Sequence, residues 1–299
     1  RSIFYLAVPL GMITFAVSCA KLRGEWAEAK GEPFDWRGSL VYAAAILLLI
    51  CGASNLDKGL WAWLLALCGT GGLIHFLILE SHTEFPVLNV NLLRSNRVFA
   101  FSNLAAMLNY AATFGVTFFL SLYLQYVKGL NPREAGTILI IQPIVQAAFS
   151  PLCGRLADRF SAATVATIGM GLCAAGLAIA ASITATTSML LIMVMLATLG
   201  LGFALFSSPN ISVIMGSVPP RYLGVASGLN STMRTLGMMG SMTIITIIFS
   251  IFMADHAVTP QTQPQFLASM HTALVTFSAL CIVGIFFSIA RIKKQPDPK

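Results

Sequence analysis

Asn109, Tyr110, Gln142, Gln146, Ser207, Ser208 and Asn210 interrupt long apolar stretches, and Arg234 is the one formal charge set well inside such a stretch. Neutral side chains of these types do little acid–base or nucleophilic chemistry alone, but grouped around a cavity they bind a small molecule by donating and accepting hydrogen bonds. Gln142 and Gln146 are four apart and so share one helix face. For any single residue, hydrogen bonding between helices, worth about 0.6 kcal/mol per contact, is the plainer reading. The set as a whole points to a central cavity, with Asn109, Tyr110, Gln142, Gln146 and Asn210 as candidate substrate contacts. Arg234 either faces that cavity or snorkels to the headgroups. Other chemistries find no support. His75, His82, His256 and His271 lack metal-ligand spacing, the six cysteines form no C-x-x-C pair, and there is no H-E-x-x-H run, phosphate loop or paired intramembrane carboxylate. No catalytic residue, metal or cofactor is expected.

The elements that position these side chains must be membrane helices. The 299 residues are 57% hydrophobic and only 10% charged, against about 25% charged in a soluble domain. A hydrocarbon core about 30 Å thick needs roughly 20 apolar residues of helix. Nine stretches meet that need, over 3–20, 38–53, 60–79, 98–126, 135–153, 164–183, 189–213, 225–253 and 266–290. Their apolar runs are continuous, not alternating, which excludes a β-barrel. The expected fold class is an all-α polytopic membrane protein. In the eighth stretch Gly224 and Gly228 stand at G-x-x-x-G spacing, followed by Gly237 and Gly240, a pattern that lets a neighbouring helix approach closely. Met233, Met238, Met239 and Met242 in the same stretch suit either loose ligand contact or ordinary packing.

The net charge of +7 is a topology signal. With the C-terminus in the cytoplasm, the inner loops hold Lys21, Arg23, Lys30, Arg37, Arg94, Arg97, Arg155, Arg159 and Arg221 besides the basic tail, and the outer side only Arg1, Lys58, Lys128 and Arg133. That asymmetry obeys the positive-inside rule and argues against a nucleic-acid partner. It predicts a multi-pass protein of the cell membrane with a cytoplasmic C-terminus. An odd number of spans puts the N-terminus outside, and Arg1-Ser2-Ile3-Phe4 opens directly into a span. The expectation is that the chain is the later part of a longer protein.

Between the fifth and sixth stretches, Gly154-Arg155-Leu156-Ala157-Asp158-Arg159-Phe160 resembles the cytoplasmic loop motif of the major facilitator superfamily, with Ser161-Ala162 in place of the family's closing Gly-Arg. Further segments narrow the resemblance to the fourteen-helix drug–proton antiporters of EmrB/QacA type. Ile3-Phe4-Tyr5-Leu6-Ala7-Val8-Pro9-Leu10-Gly11 is similar to that family's sixth-helix opening, with Ala7 where Asn is usual. Phe34-Asp35-Trp36-Arg37-Gly38 resembles its entry to two extra central helices. Tyr123-Leu124-Gln125 through Asn131-Pro132, followed by Ala135-Gly136, is similar to its "yLQ" turn, and Gly224 to Asn230 with Arg234 and Gly237 to a later helix.

The resemblance implies a major facilitator bundle cut to helices six to fourteen. Its expected organisation is the last helix of an N-terminal bundle at 1–20, a cytoplasmic loop at 21–37, two linker helices over 38–79, a second cytoplasmic loop at 80–97, a six-helix C-terminal bundle over 98–290 and a cytoplasmic tail at 291–299. It implies proton-coupled efflux of drug-like or cationic amphipathic compounds by alternating access. The lipid bilayer, a small-molecule substrate and protons are then the partners, with a periplasmic adaptor as a further candidate, and the proton-coupling residues are expected upstream of this chain. The isolated chain is not expected to transport. Gly154, Arg155, Asp158 and Arg159 would form a conformational latch, with Asp158 capping the sixth span. The plainer reading is two arginines that obey the positive-inside rule. A fold alone does not fix the cargo. A facilitator for a metabolite, siderophore or peptide is the alternative, and a membrane-embedded enzyme or non-transporting subunit the alternative of another class.

Overall fold

The computed structural model describes residues 2–21, 35–53, 55–83, 86, 88, 90–253 and 258–292. The first predicted cytoplasmic loop, apart from Lys21 and residues 35–37, and the tail beyond Ile292 lie outside the described residues. Helix α1, Ser2–Lys21, is a unit by itself and covers the first predicted span, with Pro9 inside it. The second unit begins at Phe34. Its long helices are α2 Trp36–Ala53, α3 Leu60–Glu80, α5 Arg97–Leu122, α7 Ile141–Arg159, α8 Ala162–Ala181, α9 Met189–Gly216, α10 Leu223–Met253 and α11 Gln263–Ala290. Short helices α4 Val90–Ser95 and α6 Pro132–Leu139 precede α5 and α7. Among the described residues, eight helical segments are long and apolar enough to cross a membrane.

Helix starts follow local chemistry. Asn96 Oδ1 accepts from Phe99 N at 3.0 Å to cap α5. Asn131 and Glu134 form a reciprocal capping box, with Pro132 at the first helical position of α6. Each arrangement satisfies N–H groups that the helix itself leaves free. Past Leu122, α5 widens into a π-helical turn over Tyr123–Val127, with Lys128 N bonded to Tyr123 O at 3.1 Å. Gly129 then turns the chain at φ 68°, a left-handed conformation that glycine adopts without strain.

The fifth predicted span departs from a single rod. Helices α6 and α7 are offset at Ile140, because Pro143 has no N–H to give the carbonyl of Leu139 and its ring crowds that carbonyl. The same span runs on to Arg159, six residues past its predicted end at 153. The motif residues Gly154, Arg155, Asp158 and Arg159 therefore lie in the last turns of α7 and not in a loop. Asp158 does not cap the next helix, which corrects the expectation. It precedes Ser161, the N-cap of α8, and sits near the negative end of its own helix, where a carboxylate gains nothing from the helix dipole.

Within the second unit α5 packs on α10 and α11, α11 on α8, α8 on α9, and α9 on α7, while α2 pairs with α3. The apolar core runs between these helices, with Phe119, Phe206, Phe266 and Phe277 fully buried. Close approach is decisive at Gly237, where an added Cβ would collide with Met107 O and press on Tyr110 Cβ at 3.0 Å. The three other glycines predicted to pack helices do not: Gly224, Gly228 and Gly240 have nothing within 4 Å of an added Cβ. G-x-x-x-G spacing places two small residues on one face, and here that face borders a cavity shared with Tyr42 of α2 and Phe76 of α3 instead of a close helix contact.

At the end that carries Arg97, Arg159 and Arg291, a buried polar network ties four helices together. Arg291 Nη1 donates to Asn210 Oδ1 and, at 3.0 Å, to Ser102 Oγ; Nη2 donates to Ala163 O at 3.2 Å. Asn210 Nδ2 donates to Ser102 O at 3.2 Å. Burial lowers the Arg291 guanidinium to about 10, so it stays protonated at neutral pH.

Three substitutions check this packing by thermal unfolding in detergent. Gly237→Val should destabilise by about 1–3 kcal/mol, the usual cost of overpacking, whereas Gly240→Val should change stability by less than about 0.5 kcal/mol. Asn210→Ala should cost about 2–3 kcal/mol, because it removes an acceptor from a buried guanidinium.

Candidate functional site

Helices α5, α7, α9 and α10 line a cavity of about 460 Å³. Helix α5 contributes Tyr110, Thr113, Phe114, Thr117 and Phe118, and α7 contributes Gln142 and Gln146. Phe203 and Ser207 come from α9, and Arg234, Met238 and Met242 from α10. Tyr110 lies about 20 Å along α5 from Arg97, and Arg234 about 16 Å along α10 from Leu223, at 1.5 Å per residue. Tyr110 therefore sits midway along α5, and Arg234 about a third of the way along α10.

Local structure aims each group. The five α5 residues fall at i, i+3, i+4, i+7 and i+8, one face of a helix. The offset before α7 sets Gln142 just beyond Ile140, and Gly200 on α9 leaves room for the Gln142 carbonyl. The close approach at Gly237 brings α10 against Tyr110. The Tyr110 ring stands edge-on to Phe203 at 5.3 Å and 75°, and the Arg234 guanidinium lies 5.3 Å from its centroid. An exposed cation over a tyrosine face gains about 0.5–1 kcal/mol and keeps donors free for a ligand. No carboxylate is among the lining residues.

Three of the five predicted contacts, Tyr110, Gln142 and Gln146, thus come together with Arg234, and Ser207 joins them. Asn109 and Asn210 do not line the cavity. Asn109 is fully buried on another face of α5, where its amide finds no nitrogen or oxygen partner and lies beside the Cys173 thiol. Asn210 belongs to the Arg291 network. The charge at Arg234 takes the cavity alternative of its two sequence readings. Thr113, Phe114, Thr117, Phe118 and Phe203 escaped the sequence analysis, although the helical spacing from Tyr110 to Phe118 was a usable signal.

The latch candidates lie apart from the cavity. Arg155, Asp158 and Arg159 are exposed at the end of α7, and among the described residues none has a side-chain hydrogen bond or ion pair. The cavity wall can hold a planar ring against Tyr110 and Phe203, offer amides to polar edges, and stabilise negative or acceptor-rich groups at Arg234. Nothing in it forms a nucleophile–base pair or a set of metal ligands.

Known proteins resemble this chain in sequence and in fold. The chain is 28% identical over 301 residues to the riboflavin transporter RibZ of Clostridioides difficile, a match that covers 98% of this chain and 64% of that protein. It is 26% identical to the tetracenomycin C resistance and export protein of Streptomyces glaucescens, over 85% of this chain and 47% of that one. The chain therefore spans roughly half to two thirds of the length of these relatives. The crystal structure of a bacterial homologue of the human lysosomal transporter Spinster, inward-facing and unoccupied, superposes over 87% of this chain and 71% of that one, with a TM-score of 0.57 at 16% identity, a likeness of fold alone. Residues 1–242 match the Major Facilitator Superfamily, and with that match and an all-helical membrane bundle the chain belongs to this superfamily.

Proposed function

We propose that this chain is the later part of a membrane transporter that exports flat, aromatic, drug-like compounds in exchange for protons, and that the cavity on α5, α7, α9 and α10 is its share of the substrate site. The observation that carries this reading is the cavity itself, where an aromatic pair, two amides on one helix face and a guanidinium meet. Such a wall suits a planar ring with acceptor atoms at its edge. A cationic amphipath would need its counter-charge elsewhere, since this wall offers none. Likeness to a tetracenomycin C exporter supports export. The relative named a riboflavin transporter supports a second reading, a carrier for a vitamin-type metabolite.

The fourteen-helix architecture, proton coupling and a periplasmic adaptor rest on the sequence resemblance. Alternating access would rock this half against a facing half about the cavity. The exposed Arg155, Asp158 and Arg159 would then make and break contacts with that half as the inner gate closes and opens. The same reading puts the end bearing Arg97, Arg159 and Arg291 in the cytoplasm.

The experiment is efflux in everted vesicles from cells that express the full-length parent transporter. A fused-ring dye should be pumped while a pH gradient stands and cease when it is collapsed; gradient-independent equilibration would favour the facilitator. Gln142→Ala should change the relative affinity for some aromatic substrates by about fivefold, as one lost hydrogen bond of about 1 kcal/mol allows, and an unaltered ranking would remove the cavity from the substrate path. Asp158→Asn should slow efflux several-fold with normal insertion; full activity would dismiss the latch. Cysteines placed at Lys58 and Arg159 should label from opposite faces of the membrane.

A further inference from the structure

Arg234 is a cation that the bundle leaves unanswered. It lines the cavity on α5, α7, α9 and α10, and its side chain is exposed there. Among the described residues its guanidinium makes no hydrogen bond and no ion pair; its one close contact is the Tyr110 ring, 5.3 Å away at the centroid. A ring face offers a cation far less than a carboxylate does, and it leaves the N–H donors of the guanidinium idle. Arg291 is different, since Ser102, Asn210 and Ala163 accept from it.

Nothing on the cavity wall offsets the charge. The other lining groups are aromatic or apolar, or carry neutral amides and hydroxyls at Gln142, Gln146, Thr113, Thr117 and Ser207. Helix ends give no help either. Arg234 lies well inside α10 and nearer its amino end, where the dipole is positive, and a dipole acts only over the first and last turns. Beside open water such a charge needs no partner. Once a cavity closes around its cargo and water leaves, a lone cation becomes costly. That closure belongs to the alternating-access reading above, on which this inference rests. The simplest source of the missing anion is the cargo itself.

We propose that the cargo is carried as an anion: a planar aromatic compound with a carboxylate on its ring edge, whose charge pairs with Arg234 while the ring lies against Tyr110 and Phe203. The cavity of about 460 Å³ is of a size that holds small organic ligands. Tyr110 and Phe203 meet edge to face at 5.3 Å, and the guanidinium lies against the same tyrosine, so ring and cation are offered side by side. A planar guanidinium matches a carboxylate through two parallel N–H···O bonds. The Gln142 and Gln146 amides then serve the neutral edges of the ring.

The test is equilibrium binding to the purified full-length parent transporter in an uncharged detergent, read by the fluorescence of two fused-ring probes. These are 2-anthracenecarboxylate and 2-anthracenecarboxamide, which share their rings and differ in charge. At neutral pH the carboxylate should bind about ten- to a hundredfold more tightly, the share of one charge-assisted pair. Arg234→Gln should bring that ratio to about one, whereas Arg234→Lys, which keeps the charge and loses the fork, should retain part of it. Equal affinity for the two probes in the wild type, or a preference for the carboxamide, overturns the proposal, because a group of the protein then answers Arg234. A ratio that survives Arg234→Gln overturns it as well. Gradient-driven efflux of the carboxamide with no preference for the carboxylate would leave the exporter of aromatic compounds standing and remove only its anionic cargo. If neither probe binds, the cavity is no aromatic site and both readings fall.

Discussion

A bilayer offers a polar side chain no hydrogen-bond partner, and that single condition sorts every polar group in this bundle. Short side chains such as Thr113 and Asn103 bond back to a carbonyl of their own helix; the rest find a partner on another helix, reach the interface, or face a cavity. The Arg291 guanidinium takes the first course, through Asn210, Ser102 and Ala163. Arg155, Asp158 and Arg159 take the second. Gln142, Gln146 and Arg234 take the third. Asn109 fits none of these cleanly, with an amide fully buried and only a thiol beside it. That is a destabilising arrangement by itself.

Helix geometry supplies the cavity in which the third class gathers. The Pro143 offset and the small residue at Gly200 set the glutamine face of α7. The contact at Gly237 draws α10 onto α5 near Tyr110, so that Arg234, one turn earlier, falls over the ring. A bulkier residue at Gly237 would therefore disturb the cavity wall as well as the packing, because one crossing point fixes both. Along α9 the sequence serves two sites: Phe203 and Ser207 look into the cavity, while Asn210 turns to Arg291. Three residues of helix rotate a side chain by about 300° and move it nearly 5 Å along the axis, which is enough to separate them.

The helices were legible because the signal that defines them, length and apolarity against a fixed membrane thickness, is local. Helix starts at Asn131 and Ser188 follow from residue type. The offset at Ile140 was also written, in Pro143, but hydropathy does not register it. What stayed hidden depends on the rotation of each helix against its neighbours. Asn109 and Tyr110 are adjacent, yet one is sealed in the core and the other faces the cavity. Gly224 and Gly228 carry a helix-packing pattern and make no close helix contact. Asn210 read as a substrate contact because its partner lies 81 residues away, at the end of another helix. Polarity within a span marks a residue as constrained; only the packing says by what.

The two ends of that reasoning meet in the arginines. Arg234 and Arg291 are both cations at or near apolar helices, and the sequence singled out the first while it counted the second only as part of a basic tail. The structure makes them opposites. Arg234 is exposed to a cavity and loosely stacked on an aromatic face, so its charge is available to whatever enters. Arg291 is enclosed, and its side chain holds helices α5, α8, α9 and α11 at one point. The Arg291 network is the joint that holds these four helices together at their basic end, while Arg234 stands free of it at the cavity. A charge in a membrane protein thus gains its role from what surrounds it, and the depth at which it lies along the helix is only the first part of that description.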